Sequence, residues 1–84
     1  MDKKNIKFDV KLYCMFDRKA HMYSVPYAMV NQEVAVRDFL FKCKKADDQD
    51  YAQDLELYYV GDYSTEQGLL LTLDKPEFVI GYGG

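Results

Sequence analysis

Residues 6–16 alternate without a fault: Ile6, Phe8, Val10, Leu12, Cys14 and Phe16 take one set of positions, and Lys7, Asp9, Lys11, Tyr13 and Met15 the other. A period of two over that length predicts a strand, with the Ile6-to-Phe16 set turned to a core and the lysine-bearing set outward. The polar stretch Asp17-Arg18-Lys19-Ala20 then makes a turn. Residues 21–29 read as a weaker second strand. Pro26 has no N–H to give to a ladder, which places that strand at an edge.

The period then changes. Asn31 is a good N-cap, and residues 32–45 repeat as a helix does. Ala35, Val36, Phe39, Leu40 and Cys43 fall on one side of the helical wheel and form its core stripe. Glu33 lies near the N-terminal end, and Lys42, Lys44 and Lys45 near the C-terminal end, each where the helix dipole favours its charge. Residues 46–54, with four aspartates, read as an acidic connecting loop. Residues 55–60 alternate as a third strand, and 61–68 form a hairpin connection closed by Gly68. The apolar run 69–73 is a fourth strand, which Lys75-Pro76 breaks. Residues 77–80 make a short fifth strand or an extended tail. The expected fold is therefore α+β, in the order ββαββ(β), a mainly antiparallel sheet with one helix packed across one face.

The chain has 84 residues, which makes one domain over 1–84, with 1–5 and 81–84 expected as flexible ends. Eight Tyr and five Phe supply much of the apolar area, and there is no Trp. Tyrosine pairs a large apolar ring with a hydroxyl that needs a partner, which suits half-buried sheet positions and contact surfaces. No stretch of about 18 apolar residues could cross a membrane as a helix. The start, Met1-Asp2-Lys3-Lys4-Asn5, has no signal-peptide character. A cytoplasmic protein is expected. Cys14 and Cys43 then read as free thiols of a reducing compartment.

The net charge of −3 hides an asymmetry: residues 1–45 carry +5 and residues 46–84 carry −8. A chain polarised in this way can pair its own halves, associate with itself, or offer a basic patch to phosphate and an acidic one to a protein.

Enzymatic chemistry finds little to stand on, and the reading is of a protein that is not an enzyme. His21 is the only histidine and sits beside a turn, and the serines Ser24 and Ser64 lack a base and orienting partner in their local sequence. No Cys/His spacing suits zinc, and no register of the aspartate-rich stretch gives a calcium loop. No cofactor or metal is expected. Two surfaces carry more information. Lys7, Lys11 and Tyr13, with Arg18, Lys19 and Tyr23 nearby, interleave basic and aromatic groups as single-stranded nucleic-acid sites do. On the helix, away from its core stripe, Val34 and Phe41 lie in line among Arg37, Lys44 and Lys45, a composition that marks a protein contact, including one with a second copy.

Four blocks carry a family resemblance: Leu12-Tyr13-Cys14-Met15-Phe16-Asp17-Arg18-Lys19-Ala20; residues 31–35 with Arg37 and Phe39; Leu57-Tyr58-Tyr59-Val60-Gly61-Asp62-Tyr63; and Gly68 with Pro76-Glu77. In these the chain resembles the small nonstructural protein of gokushoviruses, single-stranded DNA phages of the Microviridae. The resemblance implies a role in genome handling in the host bacterial cytoplasm. Such proteins are likened to the one that, in related phages, turns replication toward single-strand synthesis and packaging. The partners implied are single-stranded DNA, viral replication or capsid proteins, or a host replication protein. It supplies no binding residues.

Two other readings stand beside this one. An acidic protein-interaction module, as a homodimer or on a viral or host protein, fits the charge split. The terminal Gly83-Gly84 after a ββαββ order is also similar to β-grasp diglycine carriers.

Overall fold

The computed structural model describes residues 5–83. Strand β1 (Val10–Asp17) is the hub of the sheet. On one side it pairs antiparallel with β2 (Met22–Tyr23) and β3 (Tyr27–Met29), and on the other with β4 (Leu55–Ser64). Strand β5 (Leu69–Gly81) pairs antiparallel with β4 and forms the far edge. The single edge strand expected over 21–29 is thus split in two. Between the pairs Phe16↔Tyr23 and Tyr13↔Tyr27, three residues ending at Pro26 face two on β1. Residues 6–9, expected at the start of the first strand, precede the strand itself.

Helix α1 (Gln32–Lys45) has the expected bounds. The Asn31 side chain accepts from the Val34 N–H at 2.9 Å and satisfies one of the free donors of the first turn. Ala35, Phe39 and Cys43 are fully buried against Tyr13, Leu55 and Leu57, with Met15, Tyr27 and Tyr59 packed around them. The acidic stretch is not all loop. Asp48 caps the short helix α2 (Gln49–Ala52), accepting from the Tyr51 N–H, and Ala52 is buried in the core. The Gln49 side-chain amide donates to the Ala46 and Cys43 carbonyls, covering acceptors left free at the end of α1.

The face of β1 that meets the helix is the opposite of the expected one. Tyr13 is 0% exposed and sits in the helix-side core with Met15, whereas Cys14 and Phe16 point to the far side. The Tyr13 ring outweighs its hydroxyl, which reaches Gln32 Oε1 at 3.5 Å.

The separate fourth and fifth strands are one 13-residue strand. Tyr59 pairs with Glu77 and Gly61 with Thr72, so residues 73–76 form a bulge opposite Val60 alone. Pro76 is tolerated because it lies in an edge strand. Strand β4 likewise runs on past Val60, leaving only residues 65–68 as the turn. At the other end Gly81 pairs with Glu56, and the Tyr82 N–H donates to the Leu55 carbonyl at 3.2 Å. The tail is tied down that far. Residues 1–4 and Gly84, part of the ends expected to be flexible, lie outside the described residues.

Candidate functional site

The helix covers one face of the sheet. On the other face, side chains that alternate with the core positions form a row of four rings, one from each of four strands. Tyr23 of β2 packs on Phe16 of β1, with ring centres 4.5 Å apart. Phe16 meets Tyr58 of β4 edge to face at 5.9 Å, and Tyr58 meets Phe78 of β5 edge to face at 5.7 Å. Register explains the order: Phe16 pairs with Tyr23, and Tyr58 with Phe78, directly across their ladders. Cys14, across from Tyr58, is 2% exposed on this face, and burial pushes its thiol pKa up.

The inner rings are half-buried and the outer ones open: Tyr23 is 47% exposed and Phe78 54%. His21 extends the row, its ring edge-on to Phe16 at 6.4 Å. Its backbone is in the left-handed region at φ 57°, which His tolerates better than most residues. The Tyr58 hydroxyl donates to Glu56 Oε1 at 3.1 Å, which holds that ring in place. Beside the row lies a groove of about 450 Å³ whose walls include Leu12, Pro26, Val60, Leu70 and Leu73. This sheet face is therefore apolar and aromatic, the composition of a surface that takes a partner.

The six basic and aromatic positions singled out from sequence do not converge. Tyr13 is in the core and cannot stack on a base. Lys11 is on the helix side, 3.8 Å from Asp62 and over the Tyr59 ring. Arg18 donates to the Gln53 carbonyl at 2.6 Å and pairs with Asp54 at 3.7 Å. Lys19 borders a hollow lined by Asp17, Asp48, Asp50 and Asp54. Lys7 is exposed ahead of β1. Tyr23 alone belongs to the aromatic row. The alternation that placed Lys11 beside Tyr13 was read correctly, but Asp62 of β4 and Asp54, just ahead of β4, pair with Lys11 and Arg18.

The helix set does assemble. Val34, Arg37, Phe41, Lys44 and Lys45 are all exposed on α1, and the Lys45 ammonium lies 5.6 Å from the centre of the Phe41 ring. The described part of the C-terminal tail does not cover them, because Tyr82 packs toward Leu55 and Gln49 instead. Sequence reading missed Phe16, Tyr58 and Phe78. The signal was available in Tyr58-Tyr59, since adjacent strand tyrosines must face opposite ways and one of them had to be outside the core.

Among the described residues, no three His, Cys, Asp or Glu side chains converge as metal ligands would, and no helix is long and apolar enough to cross a membrane. A family model described as Phage ORF5 protein matches residues 10–82. The chain belongs to that phage protein family. The match spans every strand and both helices, so the aromatic row lies wholly within the family's region. No curated protein and no solved structure matches the chain.

Proposed function

We propose that this phage protein is a non-enzymatic accessory of viral genome replication and packaging, and that it binds single-stranded DNA on its open sheet face. The observation behind this reading is the row Tyr23–Phe16–Tyr58–Phe78, with its two outer rings free to take a base. Aromatic rings displayed on an open sheet are a common way to hold unpaired bases, because every base has a face to stack. Duplex DNA keeps its bases stacked on one another and offers such a row nothing. The four sequence blocks that resemble the gokushovirus nonstructural protein agree with a single-stranded DNA phage and with action in the host cytoplasm.

Charge sets the character of the binding. The chain is acidic overall, and the row is bordered at one end by the turn carrying Lys19 and His21. Few phosphates are neutralised, so stacking supplies most of the affinity. The salt dependence is correspondingly shallow, about −0.7 in log K per log salt for each phosphate engaged.

The test is fluorescence anisotropy of labelled single-stranded and duplex oligonucleotides across a salt series. Preference for the single strand with a shallow salt slope is expected. No binding at low salt removes the DNA reading. The second reading, a protein-interaction module acting on a viral or host replication or capsid protein, then takes its place, favoured by the exposed Val34 and Phe41 on α1.

A further inference from the structure

Strand β5 is an edge of the sheet and, among the described residues, pairs only with β4. Its first half is Leu69-Leu70-Leu71-Thr72-Leu73, with Leu70 63% and Leu71 52% exposed. Ile6 and Phe8 line a hollow with Leu69, Leu70 and Leu71 but form no ladder with them, and an unpaired strand edge flanked by leucines is a template for another strand. The second half is guarded: Asp74, Lys75 and Pro76 sit in the bulge, devices that discourage pairing. The unguarded stretch is thus confined to residues 69–73.

We infer that residues 69–73 pair antiparallel with the same residues of a second copy, about a two-fold axis through Leu71. An axis perpendicular to a sheet must pass between a residue and its own copy, so only registers centred on one residue close into a dimer. Centring on Lys75 sets like charges opposite each other and brings Pro76 into the ladder, and centring on Asp74 sets two acids opposite. Centring on Thr72 sets Leu70 against Asp74, and centring on Leu73 sets Leu70 against Pro76. Centring on Leu71 pairs Leu69 with Leu73, Leu70 with Thr72 and Leu71 with itself. It also sets Lys75 across from the turn residue Gln67 of the other copy, one position from Glu66, and leaves Pro76 beyond the end of the ladder. Centring on Leu70 sets Asp74 against Glu66, and centring on Leu69 draws the turn residues 65–68 into the ladder, so among these registers only the one through Leu71 satisfies packing, charge and proline together.

Two sheets joined in this way become one, with both aromatic rows on the same side, because the two-fold axis does not exchange the faces. The dimer does not depend on the DNA reading. A five-residue ladder is a small interface, so the complex belongs to the weak, micromolar class.

Sedimentation velocity over a concentration series tests the inference on the full chain. A monomer–dimer equilibrium is expected. Leu71→Lys, which sets two cations face to face at the axis, is expected to weaken it by about tenfold or more. Circular dichroism of the variant checks that the exposed substitution leaves the fold intact. Independently, Leu71→Cys is expected to form a disulfide between copies under mild oxidation, while Phe78→Cys is not, since only position 71 meets itself. A chain that stays monomeric up to millimolar concentration overturns the inference, including the case in which its own N-terminal residues occupy the edge. A dimer indifferent to Leu71→Lys but dissociated by Phe41→Glu overturns it in favour of the helix face.

Discussion

The Asp9 carboxylate accepts two hydrogen bonds from Thr65, 56 positions away, from the N–H at 3.0 Å and from the hydroxyl at 2.6 Å. The pair fastens the segment ahead of β1 to the β4–β5 turn. The hydroxyl bond and then the amide bond hold the Asp9 pKa below its ordinary 3.8. A carboxyl with a depressed folded-state pKa stabilises the fold fully above its unfolded value, and that contribution is lost as pH falls through the folded value. Asp9→Asn should therefore melt below the native protein at neutral pH. The gap should close as pH falls through the folded-state pKa, which lies below 3.8. Thermal melts of the two proteins between neutral and acid pH check this, and a constant gap would show that the carboxylate charge is not what matters.

At Gly61 the β4 backbone has no room for a side chain against β5. A Cβ at this position would collide with the Leu71 carbonyl oxygen and lie 3.0 Å from the Thr72 Cα, both backbone atoms that cannot swing aside. Gly61→Ala should therefore part the two strands at the start of the bulge, at a cost of roughly 1–3 kcal/mol. Denaturant unfolding measures the loss. Hydrogen exchange should localise it to residues 61–72, leaving α1 protected.

How much of this was readable beforehand depends on which signal each element carries. Helix α1 was legible from Asn31 and the Ala35–Phe39–Cys43 stripe, because a cap and a period are local properties. The existence of β1 was legible for the same reason, but its orientation was not. Both faces of this sheet carry large apolar groups, and treating Tyr13 as polar chose the wrong one. Pro76 suggested a break because proline ends an interior strand. Whether a strand is interior or at an edge is a tertiary fact that residues 73–80 do not contain. The aspartates at 47–54 suggested a solvated loop, yet Asp48 used its charge to cap a turn that buries Ala52. The aromatic row was hidden because its four members come from four strands and meet only through register.

Tyr27 and Tyr59 both have pKa values pushed up to about 12, in each case first by burial. Their other causes differ. Asp38 repels the Tyr27 phenolate, whereas the Tyr59 hydroxyl donates to Asp62 Oδ1 at 2.7 Å. Because the folded-state values are raised, the stabilisation is intact below the unfolded pKa of about 10 and is lost as pH rises through about 12. Tyrosinate absorbance should show these two groups ionising late, together with alkaline unfolding. The Tyr27 hydroxyl is buried with no hydrogen-bond partner among the described residues. Tyr27→Phe should therefore stabilise the protein by roughly 1 kcal/mol, and Tyr59→Phe, which gives up a hydrogen bond, should cost about as much. If both variants move the same way, hydrogen bonding does not separate the two tyrosines.

The aromatic row makes the sharpest functional prediction, because its outer and inner rings should respond differently. Tyr23 and Phe78 are about half exposed, so replacing either with alanine removes a stacking surface, and at Tyr23 also its ring contacts with Phe16 and Tyr58. Each variant should lose roughly 1–3 kcal/mol of single-stranded DNA affinity, with the melting temperature nearly unchanged for Phe78→Ala and modestly lower for Tyr23→Ala. Tyr58 packs against Phe16, Tyr23 and Phe78 at once. Tyr58→Ala should therefore lower affinity and stability together, while Tyr58→Phe keeps the stacking and recovers most of the affinity. Phe41→Ala, on the helix at the opposite face, should bind as the native protein does. Anisotropy titrations paired with thermal melts on this set decide the matter. Equal losses at Tyr23, Phe78 and Phe41 would mean that the oligonucleotide recognises exposed rings wherever they lie, and that the row is not the site.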